Sequence, residues 1–278
     1  MKLKPERRGR GRIGGGDVLA SGFAVAALAL LAGFISLPFL SLVIWTVDKG
    51  SWHAMASPVA VDALLLSART TAISMLIILV VGTPAAFVLA RARFPGKRVI
   101  DTLVDIPAVL PPSAAGIALL LAFGRMGLLG EHLRVLGIQL SFTTAAVVMA
   151  ELFVATHFYV RQAAVGFGRI DRDVEEAAMV DGAGRANVFT RITIPLASPA
   201  LVAGAVTAWA RALGEFGGTI IFAGSLRGIT QTMPLAIYGT LESDFDAAVA
   251  LSVLVLGFSF VVILVARFLA RKAAEYNN

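Results

Sequence analysis

Residues 247–266 read Ala247-Ala248-Val249-Ala250-Leu251-Ser252-Val253-Leu254-Val255-Leu256-Gly257-Phe258-Ser259-Phe260-Val261-Val262-Ile263-Leu264-Val265-Ala266, a run of 20 residues without a charge. About 20 apolar residues in a helix cross the hydrocarbon layer of a bilayer. Lipid admits only a spanning backbone whose polar groups are satisfied internally. The stretch is therefore a membrane helix. Working outward, five further segments have the same character: roughly 21–46, 64–90, 102–124, 141–163 and 194–222. Within the second, 70–90 is uncharged, whereas the fourth and fifth carry internal charge. The expected fold is an all-α integral membrane protein of about six transmembrane helices, multi-pass in the cell membrane and in contact with lipid. Composition agrees. The chain is 58% hydrophobic and 15% charged, where soluble domains carry about a quarter charged residues.

The net charge of +6 would suggest nucleic acid in a soluble protein. Here the basic residues lie between apolar runs, and no basic-aromatic stripe of the kind that binds single strands occurs, so no nucleic-acid partner is expected. Their distribution sets orientation. With the N-terminus inside, segments 1–17, 91–100, 161–193 and 267–278 hold 18 Lys and Arg, against 4 in the outer loops (Lys49, Arg125, Arg134 and Arg227). The positive-inside rule then places both termini in the cytoplasm. The uncharged run Val18–Val47 comes after six basic residues, but its 30 residues exceed a signal-peptide core of about 7–15, and it reads as a retained first span. The chain has no cysteine, which excludes disulfides, thiolate metal sites and a catalytic thiol.

The longest cytoplasmic segment, 162–193, joins the fourth and fifth spans. Idle helix–helix links are commonly about 2–8 residues, so a connection of this size has a task. It contains Glu175-Glu176-Ala177-Ala178-Met179-Val180-Asp181-Gly182-Ala183-Gly184-Arg185, then Ile192-Thr193-Ile194-Pro195. Glu, Ala and Met are strong helix formers. Gly182 and Gly184 suit a sharp reversal, Asp181 suits a cap on the second short helix, and Pro195 suits the first turn of the fifth span. The expected product is two short helices around a glycine turn, held just below the bilayer.

Glu176-Ala177-Ala178, three residues, Gly182, nine residues, Ile192, one residue and Ile194-Pro195 together resemble the EAA loop of ABC importer permeases, with Ile194 in place of the usual leucine. The resemblance runs from about 63 to 270. Phe94-Pro95-Gly96-Lys97 and Ile106-Pro107-Ala108-Val109-Leu110-Pro111-Pro112 look like the oxyanion importers. Arg211-Ala212-Leu213-Gly214-Glu215-Phe216-Gly217-Gly218-Thr219 and Thr230 to Tyr238 are closer to the molybdate and tungstate permeases than to the sulfate ones. The resemblance implies an ATPase-coupling loop carried by Glu176, Ala177, Ala178, Asp181, Gly182, Ile192 and Pro195. It also implies two copies of an ABC ATPase, an extracytoplasmic oxyanion-binding protein, a permease homodimer and transport of molybdate or tungstate by alternating access. The implied organisation is a basic N-terminus 1–17, an extra helix and outer loop 18–62, a core 63–270 containing the loop, and a tail 271–278. A sulfate or thiosulfate permease is the rival within the family.

Polar groups inside the membrane are the other candidates. Arg211 and Glu215 lie four apart and can pair on one helix face, either fixing packing or belonging to a gate. Gly214, Gly217 and Gly218 permit close helix approach or a break. Pro107, Pro111 and Pro112 remove backbone hydrogen bonds from the third span, which gives either a packing kink or freed groups along a pathway. Pro111, Pro112, Arg211, Glu215, Gly217 and Thr219 are thus the candidate pathway or gate residues. Glu151 is a poor oxyanion ligand; protonation, or pairing with Arg69 or Arg211, would accommodate it. No phosphate loop occurs, since Gly96-Lys97 is followed by Arg98, so a separate ATPase is required. No cofactor, metal ligand set or catalytic residue is assigned. A membrane enzyme built on Glu151, His157 and Arg211 is the rival from another class, and it leaves the loop unexplained.

Overall fold

The computed structural model describes the backbone of residues 15–276 and the side chains of 22–268. The basic N-terminus expected over 1–17 lies outside the described side chains. Every regular element among the described residues is helical. The order is α1 (Gly15–Lys49), a 3₁₀ turn (Ser51–Ala56), α2 (Pro58–Arg91), α3 (Lys97–Val109), α4 (Pro112–Phe123), α5 (Gly130–Val135), α6 (Thr144–Gly168), α7 (Arg172–Val180) and α8 (Arg185–Val188). A π-helical segment (Phe189–Thr193), α9 (Ile194–Leu213), α10 (Gly217–Phe222), α11 (Met233–Leu241) and α12 (Phe245–Tyr276) complete the chain.

Four helices are long and apolar enough to cross a bilayer: Gly22–Lys49, Pro58–Arg91, Arg185–Leu213 and Phe245–Phe268. The bent pair α3–α4 makes a fifth if it counts as one span. The 25-residue α6 is long enough, but Glu151, His157 and Arg161 lower its apolarity. Local signals explain where the long helices start. The Ser57 hydroxyl accepts from Ala60 N at 3.2 Å, ahead of Pro58 in the first turn of α2. The Thr143 hydroxyl accepts from Ala146 N at 3.3 Å and opens α6; both fill donors that a helix start leaves unpaired.

Two expected spans have other bounds than those read from the sequence, and each is broken where its prolines or glycines allow. The third is not continuous over 102–124. It breaks at Leu110-Pro111, and α3 and α4 diverge by 120°. Each proline disfavours helical φ/ψ in the residue before it, and at the successive prolines both Leu110 (ψ 131°) and Pro111 (ψ 137°) are extended. The fifth span begins earlier than 194. Its helix starts at Arg185 and runs through the π-helical segment before Pro195. Proline lacks an N–H and crowds the preceding turn, and the wider π turn accommodates it. The same span ends at Leu213 rather than 222, because Gly214–Phe216 leave helical geometry before α10.

The core is the bundle of α2, α6 and α9, where Met75, Ile78, Tyr159, Phe167, Ala197 and Ala208 are buried together. Small residues set the spacing. A Cβ on Gly166 would stand 2.4 Å from Ala200 Cβ, and one on Gly82 would stand 3.0 Å from the Tyr159 ring. Such close approach is the usual source of helix association in lipid, where dispersion replaces the hydrophobic effect. Helix α1 packs on α12. Near its C-terminal end the Trp45 indole donates to Asp246 Oδ1 at 2.8 Å.

Helix α3 buries no residue and is held through its acidic face. Arg161 of α6 donates Nε to Asp105 Oδ1 (2.6 Å), Nη2 to Asp105 Oδ2 (2.7 Å) and Nη1 to Asp101 Oδ1 (3.1 Å). His157 Nδ1 lies 3.1 Å from Val104 O. Bidentate arginine pairs combine strength with fixed geometry. Arg161→Gln leaves two aspartates without their cation. It is expected to destabilise the protein by about 2 kcal/mol, lowering the melting temperature in detergent by about 4–8 °C. Differential scanning fluorimetry checks this.

Candidate functional site

The long loop forms the compact knob that its glycines suggest. Asp171 Oδ1 accepts from Asp173 N at 3.1 Å and starts α7. The helix ends at Asp181, and Gly182 turns the chain at φ +90°, where a side chain would be strained. Two details differ from expectation. Gly184 has φ −67° and needs no glycine freedom. Asp181 caps no following helix: it terminates α7, and α8 starts at Gly184 with no side-chain cap.

Helix α7 buries no residue. Glu176, Ala177, Asp181 and Gly182 are exposed, Ala178 and Ile192 are half-buried, and Val180 is 86% exposed. Pro195 is half-buried in the first turn of α9. Open hollows flank α7. One of about 480 Å³ is lined by Phe87, Arg91, Met179 and Val188. Another, of about 710 Å³, is lined by Gln162, Val165, Leu196 and Pro199. The outward face of α7 carries acid and an exposed valine and stands off the bundle.

The intramembrane candidates fall into two groups. Pro111, Pro112, Glu215, Gly217 and Thr219 gather where the broken spans meet. A Cβ on Gly217 would lie 2.6 Å from Pro112 Cβ, and one on Gly116 would lie 2.9 Å from Gly218 O, so α4 and α10 touch backbone to backbone. Arg211 Nη2 lies 2.7 Å from Glu215 Oε2, the pairing expected from their spacing. Glu215 Oε1 accepts from Gly218 N at 2.7 Å, across the break. Thr219 is fully buried, and its hydroxyl has no partner among the described residues.

Glu151 is separate from Arg69 and Arg211 as an ion pair. It is 2% exposed and accepts from the Thr70 and Ser74 hydroxyls, each at 2.7 Å, which ties α6 to α2. Two hydroxyls on one turn of α2 satisfy the carboxyl without a cation, as a buried polar group requires. His157 points to α3 instead. The three groups of a hypothetical membrane enzyme therefore have different partners and do not form one constellation.

The sequence reading missed two features. The α3–α6 clasp is visible in hindsight, because Asp101/Asp105 and His157/Arg161 are both four apart and so line helix faces. The burial of Glu175 beside an exposed Glu176 has no such signal, since neighbouring helical residues differ by about 100° and either could have faced inward.

The sequence profile of the family described as "binding-protein-dependent transport system inner membrane component" matches residues 82–275. The chain belongs to this family. It is thus a multi-pass membrane permease component, and the matched region contains the knob, the broken spans and, of the core, α6, α9 and the last turns of α2. The permease is 42% identical over 239 residues to the molybdenum transport system permease protein ModB of Mycobacterium tuberculosis, covering 85% of this chain and 90% of that one. It is 34% identical over 236 residues to the probable sulfate transport system permease protein cysT of Chlorokybus atmophyticus, covering 84% and 82%. Its fold is that of a chain in the crystal structure of a bacterial ABC transporter that imports alginate, with TM-score 0.72 and 17% identity over 92% of this chain and 96% of that one.

Proposed function

We propose that this permease is the membrane-spanning subunit of an ATP-driven, binding-protein-dependent importer of molybdate or tungstate. Two copies form the membrane unit. An ATPase subunit docks under each α7, and an extracytoplasmic binding protein delivers the anion. Six spans, counting α6 and the α3–α4 pair, leave both termini and the knob on one side, and the 18 to 4 distribution of basic residues supports the cytoplasmic one. The observation that carries the reading is the uncovered outer face of α7, with Glu176, Ala177 and Gly182 at the spacing of a coupling loop. The higher identity to a molybdenum permease than to a sulfate one supports the substrate.

The chemistry of the breaks suits a gated anion path. Irregular backbone is tolerated at membrane depth where it is buried or lines a cavity. At the α9–α10 break Glu215 and Gly218 are buried, and Glu215 neutralises Arg211 and satisfies the Gly218 N–H. The paired carboxylate weakens the pull of the guanidinium on an anion. Moving α10 relative to α9 separates Glu215 from Arg211 and frees a positive charge for the passing oxyanion, which is alternating access at the level of one ion pair.

Uptake into vesicles holding the permease, its ATPase and its binding protein tests the substrate. Molybdate and tungstate are expected to compete with one another and to be imported in a large excess of sulfate. Equal competition by sulfate would move the permease to the sulfate branch. ATP-independent conductance would make it a channel.

A further inference from the structure

Arg91 is the last residue of α2, where a long basic side chain normally extends into water. Instead it is 13% exposed and lies beneath the knob. Its Nη2 donates to Ile170 O at 2.8 Å and lies 3.5 Å from Glu175 Oε2. Arg172 Nη2 approaches the Arg91 carbonyl at 3.4 Å from the other side. Glu175 is half-buried too, its side chain likewise 13% exposed. Its second oxygen accepts from the Thr193 hydroxyl at 2.7 Å, and Thr193 is 1% exposed, in the π-helical segment that leads into α9. One carboxylate on α7 therefore grips both the end of α2 and the start of α9.

The rest of α7 offers little grip. The helix buries no residue, and hollows lie on both sides of it. A displacement imposed on its outer face has three routes inward: the covalent chain at each end, the long Arg172 contact to the Arg91 carbonyl, and Glu175. At the C-terminal end the covalent route turns through Gly182 at φ +90°, a compliant reversal. The Glu175 route is short and charged, and partly withdrawn from water, where ion pairs are screened less. It is also directional. Helix α2 is 34 residues long, and Thr70 and Ser74 further along it hold Glu151 of α6.

We infer that Glu175, with Arg91 and Thr193, is the strut that converts movement of the docked α7 into movement of α2 and α9. Its role is positioning rather than docking: Glu176 faces the partner and Glu175 faces the bundle. This rests on the reading of α7 as the ATPase-docking helix.

The test uses the full complex of permease, ATPase and binding protein in proteoliposomes, with molybdate imported per ATP hydrolysed as the readout and copurification of the ATPase as the docking measurement. Glu175→Gln keeps the shape and the acceptor for Thr193 but removes the charge. Thr193→Val cuts only the α9 arm. Each is expected to lower the anions imported per ATP about tenfold, within the range of measured coupling energies, while the ATPase still copurifies. The exchange Arg91→Glu with Glu175→Arg is expected to recover more of the ratio than either single change. An unchanged ratio in Glu175→Gln overturns the strut, as does an exchange no better than its parts. Loss of the ATPase from Glu175→Gln also overturns it, making Glu175 a docking residue. If Glu176→Arg leaves the ATPase bound, the docking reading itself fails, whatever Glu175 does.

Discussion

Glu176→Arg is expected to reduce ATP-coupled uptake about 30-fold or more, because truncating or reversing one charge of a desolvated interface pair costs about 2 kcal/mol or more. Every 1.4 kcal/mol is a factor of ten. The substitution is expected to spare the fold. Glu176 is exposed, makes no ion pair among the described side chains, and arginine is as good a helix former as glutamate. The melting temperature of the isolated permease should therefore stay within a degree or two of wild type, while the ATPase no longer copurifies. Uptake, copurification and thermal stability measured on one preparation separate a docking defect from a folding defect.

Gly217→Val is the second large effect, and it arises inside the membrane. The added Cβ alone would lie 2.6 Å from Pro112 Cβ, closer than real Cβ contacts, and the two γ-methyls need further room. Neither side can give easily. Pro112 is held in the extended turn that starts α4, and Gly218 is held by Glu215. Overpacking of this kind costs about 1–3 kcal/mol. It falls where α4 and α10 must move against one another, so uptake is expected to fall about tenfold or more, with a lowered melting temperature. Gly257→Ala on α12 is the control, since a Cβ there meets nothing within 4 Å. Uptake by both variants at matched membrane levels checks the prediction. Normal transport by Gly217→Val would remove the α4–α10 contact from the pathway.

Much of this architecture is legible from residues alone, because lipid imposes strong rules. An uncharged run such as 247–266 has one outcome in a bilayer, and the helix Phe245–Phe268 matches it. Gly182 was readable because positive φ selects glycine, and the Arg211–Glu215 pair because four residues make one helical turn. What escaped depends on three-dimensional context. Successive prolines announce a break but not its 120° angle, which is set by how α4 lands on α10. Glu151 looked in need of a proton or a cation; no cation pairs with it among the described residues, and two hydroxyls one turn apart on α2 serve it. Helix α3 read as the first half of a span, because its apolar residues conceal an acidic face that pairs with Arg161. Glu175 and Glu176 are the same residue type at adjacent positions, and only the packed loop distinguishes the one that faces inward.

The central claim is that α7 of this permease is the contact through which an ATPase drives it. The chain has no cysteine, so Ala177→Cys, exposed on the outer face of α7, introduces a unique thiol. In membranes holding the whole transporter, a short thiol-to-amine crosslinker is expected to join Ala177→Cys to the ATPase subunit. Met126→Cys, also exposed and on the opposite side of the membrane in the proposed topology, is expected to give no such product. Failure of Ala177→Cys to reach the ATPase in an actively transporting preparation, or crosslinking from Met126→Cys instead, would contradict both the assigned role of α7 and the orientation on which it depends.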